Sequence, residues 1–395
     1  MTTGGIDHDV LIAGTGLTGL AVARALANTG LSVALADRAG VAMPLSPLDA
    51  GDWDARIYAI SPGSASFLRS LGAWQLLTPD RVAPVESMRI EGDAGALLNF
   101  SAYEQGERAL AWIVEERALR AALLMQVRTS GIAIRAPVVF DALSYSTDAA
   151  VLRMGGGESI AARLVIGADG LRSWVREAAG IAVTPRPYAQ TAVVANFACE
   201  RAHRGRAWQW FRDDGGILAW LPLPGRRVSI VWSAPEALAR ELLALSPEGL
   251  GERVAAAGRH SLGAFSPLSR SAGFPLQSVK VPAVSAHRVA LVGDAAHGVH
   301  PLAGQGVNLG FGDAEALFAV VHERGPVADA GAPILLERYA RRRAEPVLAM
   351  HAVTDGLARL FGTPSPWIRS ARNLGMAGLD RLPAAKRLLA QSALR

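Results

Sequence analysis

Gly14-Thr15-Gly16-Leu17-Thr18-Gly19 follows the apolar run Val10–Ala13 and opens an apolar segment, and Asp37 stands 23 residues after Gly14. Each of these residue types has a use if a pyrophosphate sits on the loop. Gly14 permits the tight turn, Gly16 lets backbone approach the phosphates, and Gly19 lets a helix pack closely on a strand. The free N–H groups at the helix start, around Leu17 and Thr18, then face the anion. Asp37, with Arg38 after it, closes the next apolar run, where a carboxylate can accept hydrogen bonds from ribose hydroxyls. Strand, turn, helix, strand and acid fall in the order that dinucleotide binding requires. A plain glycine-rich turn would not need the acid, and the loop alone does not say which dinucleotide binds.

Two further stretches have the same character. Gly167-Ala168-Asp169-Gly170-Leu171-Arg172-Ser173 follows Leu164-Val165-Ile166, with Arg176 three residues on. Gly293-Asp294-Ala295-Ala296-His297 follows Ala290-Leu291-Val292, and His300-Pro301-Leu302-Ala303-Gly304-Gln305-Gly306-Val307-Asn308 comes next. Taken singly, an Asp at a strand end caps a helix more often than it binds a ligand. His297 and His300 could serve as a general base toward a phenol, or could simply hold the loop. Asn308 could bond the same loop or cap the helix after it.

These stretches need elements to position them. Residues 8–38 read as strand, glycine turn, helix, strand. Residues 56–77 and 109–130 read as helical, the first with a glycine interruption. Residues 160–168 and 288–293 are short continuous apolar runs, the pattern of strands covered on both faces. From 187 to 233 shorter apolar segments broken by turns indicate an antiparallel sheet. Residues 306–322 and 333–361 read as helices. The fold class is therefore α/β. A discontinuous Rossmann-like βαβ domain (1–80, 105–180 and 280–345) would carry an inserted antiparallel β-sheet domain (81–104 and 181–279) and a C-terminal helical segment (346–395).

In combination, the three stretches make the chain resemble the aromatic-ring flavoprotein monooxygenases of the p-hydroxybenzoate hydroxylase fold. Within that group, HPLAGQGVNLGFGD (300–313) is similar to the signature of the ubiquinone-biosynthesis hydroxylases, as are ARIYAISPGSASFLRSLGAW (55–74), ILAWLPLPG (217–225), SIVWS (229–233) and FPL (274–276). The resemblance implies bound FAD, with NAD(P)H as a transient co-substrate and O2 adding at the flavin C4a to hydroxylate an aromatic ring. Gly14, Gly16 and Gly19 would hold the pyrophosphate, Asp37 the adenosine ribose, and Arg56 the phosphate–ribityl region. Asp169 would lie near the pyrophosphate and the nicotinamide groove, and Asp294 would bond a ribityl hydroxyl. Pro301 to Asn308, including Gly304, Gln305, Gly306 and Val307, would wrap the pyrimidine edge of the isoalloxazine. Reduced flavin carries negative charge there, and a helix starting near Gly306 would aim its positive end at it. The pattern departs at Val114-Glu115-Glu116-Arg117, where the family usually carries a polar amide. No catalytic residue is assigned; His300 is the one candidate, and no metal site is expected.

The chain has 395 residues, half of them hydrophobic, enough for two joined domains or one large α/β unit with an insertion. Its single cysteine, Cys199, excludes a disulfide framework and a cysteine-based metal cluster and fits a reducing compartment. No secretory signal opens the chain, and no apolar run could span a bilayer. HExxH, CxxC, GxSxG and kinase loops are absent, and so is a second GxGxxG, so NAD(P)H would visit a surface groove. Net charge is +5, unevenly placed: Arg338–Arg395 holds eleven Arg/Lys and three Asp/Glu, a net of +8. That tail is either a solvated helix pair or a contact with an anionic membrane or an acidic partner. Nucleic acid is excluded by the lack of any recognised motif. Trp208, Trp210, Trp220 and Trp232 line either a wide apolar pocket or the sheet core, with core preferred. The leading expectation is a cytoplasmic hydroxylase of a prenylated phenol or quinol, peripheral at the inner membrane face. Alternatives are a hydroxylase of a soluble aromatic compound, a flavin-dependent reductase, and a flavin-free accessory protein.

Overall fold

A computed structural model describes residues 5–41, 53–299, 304–325, 329–363 and 365–394. Its organising element is an eight-stranded sheet. Along its path run Ser285–Ala286, Val289–Leu291, Ser159–Gly167, His8–Ala13, Val33–Ala36 and Ala133–Arg135 in spatial order. His8–Ala13 pairs in parallel on both sides, and Val10 through Ala13 have no exposed surface. A strand covered on both faces must be apolar throughout, which is why its sequence shows no alternation. The helices Leu17–Leu26, Gly306–His322 and Glu116–Thr129 cover one face. The hairpin strands Phe140–Tyr145 and Ala150–Met154 and the short helix Trp174–Ala178 contribute to the second core, on the other.

The strand ends matter most for function. Val289–Leu291, Ser159–Gly167, His8–Ala13 and Val33–Ala36 are neighbours and all point the same way. Gly293-Asp294, Ala168-Asp169, the glycine loop and Asp37 therefore lie in a row outside their carboxyl ends. That edge of an open α/β sheet is where ligands bind.

Two helical expectations are corrected. Ile57–Ile60 and Ala111–Glu115 are strands, joined with Val82–Val85 in a three-stranded antiparallel sheet. The helices begin later, at Pro62 and Glu116. Ser61 Oγ accepts the Ser64 N–H at 3.2 Å and Pro62 fills the first turn, a start signal that strands the β-branched and aromatic residues before it.

A second, nine-stranded sheet contains the antiparallel run expected at 187–233, as Arg186–Cys199, Arg206–Phe211, Ile217–Leu223 and Arg227–Pro235. Its strands alternate. Val193, Ala195, Phe197, Trp208, Trp210, Trp220, Ile230 and Trp232 form one core, covered by the helices Glu236–Ala244 and Pro247–Ala257. The four tryptophans are thus sheet core. Residues between them in register, such as Ala192, Val194, Asn196, Ser229 and Val231, turn to the opposite face. There Asn196 Nδ2 donates to the Asp54 carbonyl at 2.9 Å, beside the strand Ile57–Ile60.

The C-terminal segment is helical, as Pro333–Gly362, Pro366–Asp380 and Pro383–Leu394. Tyr339, fully buried, donates its hydroxyl to the Leu291 carbonyl at 2.7 Å, and Phe361 stacks on Phe211 at 3.6 Å. No described helix is long and apolar enough to cross a membrane.

Trp220 fixes one packing limit. A Cβ on Gly258 would lie 2.0 Å from its ring. Gly258→Ala is expected to lose about 1–3 kcal/mol in urea unfolding, and Trp220→Phe in the same chain is expected to recover part of it. An unchanged midpoint for the single variant would contradict this packing.

Candidate functional site

The glycine loop is shaped partly by packing and partly for something outside the chain. Gly14 has φ +115°, and a Cβ there would lie 2.3 Å from the Ala168 carbonyl oxygen. A Cβ on Gly19 would lie 2.1 Å from the Gly14 carbonyl oxygen. At Gly16 a Cβ would meet nothing within 4 Å. Gly16 precedes the helix Leu17–Leu26 and offers it no side-chain cap, so the first N–H groups point out of the loop. Leu17 is buried, and Thr18 packs against Gly293 and Gly310.

Asp37 ends the row. Thr15 donates both its N–H and its hydroxyl to Oδ2 at 2.6 Å, and the Ala39 N–H donates to Oδ1 at 2.7 Å. The carboxylate holds the loop and keeps lone-pair capacity for further donors. Arg38 is exposed beside it. Arg120, on the helix Glu116–Thr129, donates from Nε to the Thr15 carbonyl at 3.2 Å. Sequence reading missed it, because 105 residues separate the partners.

Asp169 is committed locally. It accepts from the Ser173 hydroxyl, from the Trp174 N–H at 2.7 Å and from the Val175 N–H at 3.1 Å, capping the helix Trp174–Ala178. Its backbone still touches the glycine loop, since the Gly14 Cβ position lies 3.0 Å from its nitrogen. Buried Arg176 donates to the Leu171 and Ala295 carbonyls, each at 2.9 Å, and so joins the second motif to the third.

Asp294 is the accessible acid of the third motif. Its side chain is open to solvent while protein surrounds it, the arrangement of a recess floor. That surrounding pushes its carboxyl above the usual carboxylate range, against the charges of His297 and Arg56. Arg56 lies 3.4 Å from Glu116 and 4.9 Å over the Phe274 ring. Asp54 and Glu115 fix its loop: Asp54 accepts the Arg56 and Arg117 N–H groups, and Glu115 accepts the Asp54 N–H. Arg117 turns toward Asp54 and Glu115, 3.9 Å from each. Burial, then the charge of Glu116, pushes the Tyr58 phenol up; Asp294 adds to this.

The helix Gly306–His322 starts where expected, and Gln305 before it supplies no side-chain cap. Gly304 has φ +65° and sits against Ala59, where a Cβ would lie 3.1 Å from the Ala59 Cβ. Asn308 reaches further than either expectation. Its Nδ2 donates to the Gln305 side chain at 3.2 Å and to the Ala59 carbonyl at 2.8 Å, while its Oδ1 accepts the Ser61 N–H at 3.0 Å. It pins the loop to the strand Ile57–Ile60. Val307 is buried beside it. His300 and Pro301 lie outside the described residues.

His297 is removed from the accessible surface. Its Nε2 meets Asp313 Oδ2 at 2.5 Å; the same oxygen accepts the Gly293 N–H at 2.7 Å, and Arg343 Nε donates to Oδ1 at 2.6 Å. Burial alone would push the Asp313 carboxyl up; His297 and Arg343 hold it below the usual range. Asp313 closes the 300–313 signature, a signal that could have marked it. Arg343 sits in an arginine run that reads as a solvated face, and in the structure Arg343 is the member turned inward.

Two helix starts without side-chain caps, an unobstructed Gly16 and the accessible Asp294 therefore line one edge. This donor and acceptor set fits an elongated dinucleotide with an anionic middle.

Comparison with known proteins agrees. The FAD binding domain family matches residues 7–354. The chain is 37% identical over 400 residues to "Ubiquinone hydroxylase UbiL" of Rhodospirillum rubrum, covering 99% of this chain and 91% of the relative. It is 35% identical over 388 residues to "3-demethoxyubiquinol 3-hydroxylase" of Escherichia coli, covering 98% of each. Among solved structures, a variant of PqsL from P. aeruginosa superposes with a TM-score of 0.76 at 25% identity, covering 93% of this chain and 99% of that one.

The first two glycines should fail differently. Gly14→Ala is expected to destabilise the fold by about 2 kcal/mol or more, through overpacking and a left-handed φ. Gly16→Ala should leave the unfolding midpoint in place and weaken FAD binding about tenfold. Equal effects on both properties would refute the distinction. Asp294 gives a pH signature. With its folded pKa raised, the native state binds the extra proton, so stability falls as pH rises through the ordinary carboxylate range toward the raised value. Asp294→Asn should therefore raise the thermal midpoint of FAD-free protein at neutral pH, leave it unchanged in acid, and cost roughly tenfold to a hundredfold in FAD affinity.

Proposed function

We propose that this chain, which belongs to the FAD binding domain family and within it to the ubiquinone-biosynthesis hydroxylases, hydroxylates an aromatic ring of a prenylated phenol or quinol. The observation that carries the reading is the row of four strand ends with two helix starts aimed at it, joined to the nine-stranded sheet where His297–Gly298 pairs with Ala272–Lys280. FAD, when bound, supplies the transfer of electrons from NAD(P)H to O2 and the insertion of one oxygen into the ring.

The chain's own residues bind, orient and exclude. Gly14, Gly16 and Gly19 let the pyrophosphate approach the N–H groups at Leu17 and Thr18. Arg120 adds a positive charge beside that loop, and Asp37 takes the adenosine ribose. Arg56 balances the phosphate–ribityl region, and Asp294 accepts from a ribityl hydroxyl. Asp169 holds the adjoining turn, where the nicotinamide donor docks. The uncapped start of the helix Gly306–His322, with Gly304 to Asn308 and Pro301, takes the electron-rich pyrimidine edge. Ala192, Val194 and Val231, on the sheet face opposite the tryptophan core and beside Asn196 and Ser229, keep the side chains of that face small, which leaves room for a ring. A prenylated ring is dissolved in lipid, so the enzyme works peripherally at the inner membrane face.

The test is turnover of FAD-loaded protein with NADH or NADPH, isotopically labelled O2 and a detergent-dispersed demethoxyquinol. The aromatic ligand should accelerate NAD(P)H oxidation, and one labelled oxygen should appear on its ring. NAD(P)H oxidation without label in any aromatic would assign the chain to the reductases. Label appearing only in soluble phenols would refute the prenylated substrate.

A further inference from the structure

The helix Pro366–Asp380 is mounted the wrong way round for an ordinary surface helix. Its polar side chains face the protein. Arg372 and Arg369 bind the carboxylate of Asp93, and Asn373 donates to it at 2.7 Å. Asn373 also accepts the N–H groups of Ala94 and Ala96, and Asp380 accepts the Asn99 N–H at 2.9 Å. Met376 packs on the Phe211–Phe361 cluster, but the larger apolar residues Trp367 and Leu374 face solvent. Trp367 is 85% exposed and Leu374 76% exposed, with exposed Ala371 between them at helical spacing. On the next helix, Pro383–Leu394, which packs on this one, Leu388 is 71% exposed, and the intervening Leu382 is exposed too. A surface helix normally turns its apolar stripe inward. Here four charged or amide side chains, Arg369, Arg372, Asn373 and Asp380, dock the reversed face.

Charge says what covers the row. Arg369, Arg372 and Lys386 are paired with Asp93, Asp380 or Glu104. Exposed Arg359, Arg381 and Arg387 have no carboxylate partner among the described residues. A row of Trp and Leu rimmed by free arginines matches an interfacial helix that meets anionic lipid. A second copy of the chain would set one net +8 tail against another.

We infer that the helices Pro366–Asp380 and Pro383–Leu394 lie on an anionic bilayer, with Trp367, Leu374, Leu382 and Leu388 entering the headgroup–acyl boundary and Arg359, Arg381 and Arg387 meeting lipid phosphates. This deepens the proposed function, resting on it for a lipid-dissolved substrate, while vesicle binding is read without turnover.

The test is flotation of the FAD-loaded protein with phosphatidylglycerol–phosphatidylethanolamine vesicles, against pure phosphatidylcholine vesicles, at low and high salt. The protein should float with the anionic vesicles and be released by salt. Trp367→Ser with Leu374→Ser should abolish flotation. Arg381→Gln with Arg387→Gln should weaken it about twenty-fivefold, at about fivefold per arginine. Because all four side chains are exposed, FAD content and unfolding midpoint should not change. Absence of wild-type flotation, or equal flotation of the variants, overturns the inference. So does a wild-type dimer that the Trp367 variant converts to monomer, since a second copy then covers the row. If the wild type floats yet hydroxylates no detergent-dispersed prenylated ring, the substrate reading fails and the docking surface stands.

Discussion

Four glycines in this protein sit where a methyl group would not fit, and the site depends on that approach. Gly19 lies on the Gly14 carbonyl, Gly14 lies on the Ala168 carbonyl, and Gly293 and Gly310 both lie on Thr18. The glycine loop and the second motif are therefore packed backbone on backbone, and the Thr18 side chain is what separates the glycine loop from the third motif and the helix Gly306–His322. Any Cβ at Gly14 or Gly19 would spread the strand ends apart and carry the two helix starts with them. The closeness lets N–H groups from Leu17–Leu26 and Gly306–His322 act on one ligand, because the field of a helix end fades within its last turn.

Glycines permit this approach but do not hold it. Asp313 does much of the holding. One carboxylate, buried and ionised, binds the Gly293 N–H, His297 and Arg343, and so ties the third motif to the helix Gly306–His322 and to the long C-terminal helix. Removing one partner of such a buried pair costs about 3–5 kcal/mol, because the other charge is left without compensation. Asn308 does similar work on the other side, using both ends of its amide on the backbone of Ala59 and Ser61. The start of the helix Gly306–His322 and the turn before it are thus braced from two sides.

Much of this was legible in the sequence, for a physical reason. A turn that needs φ > 0, a backbone that must come close, and a strand buried on both faces each constrain residue types locally. That is why the glycine loop, the strand at 159–167 and the helix start at Gly306 can be read directly. The tryptophans were legible too, because alternation along a strand assigns them to one face. The strands Ile57–Ile60 and Ala111–Glu115 were misread as helix, since each is short and runs straight into a true helix. Arg120, Arg343 and the pairing of Asp93 with Arg372 left no local trace, their partners lying 105, 30 and 279 residues away. Charge composition marked the C-terminal tail as basic, but it could not show that two of its arginines face inward and its leucines outward.

The same features that suit the site to FAD weaken it without FAD. Two helices begin at one edge with no side-chain cap, although serine caps start the helices at Pro62, Trp174 and Pro247 elsewhere in the chain. Their positive ends point at each other's neighbourhood, and Asp294 is held among protein at a raised pKa. A ligand with an anionic middle and an electron-rich ring edge relieves the first strain, and any hydroxyl donor to Asp294 relieves the second. Such a ligand binds the folded chain far better than the unfolded one, so its affinity appears as stability. Affinity for the cofactor and cohesion of the strand ends are then one quantity in this fold, set by how few caps and side chains the edge retains.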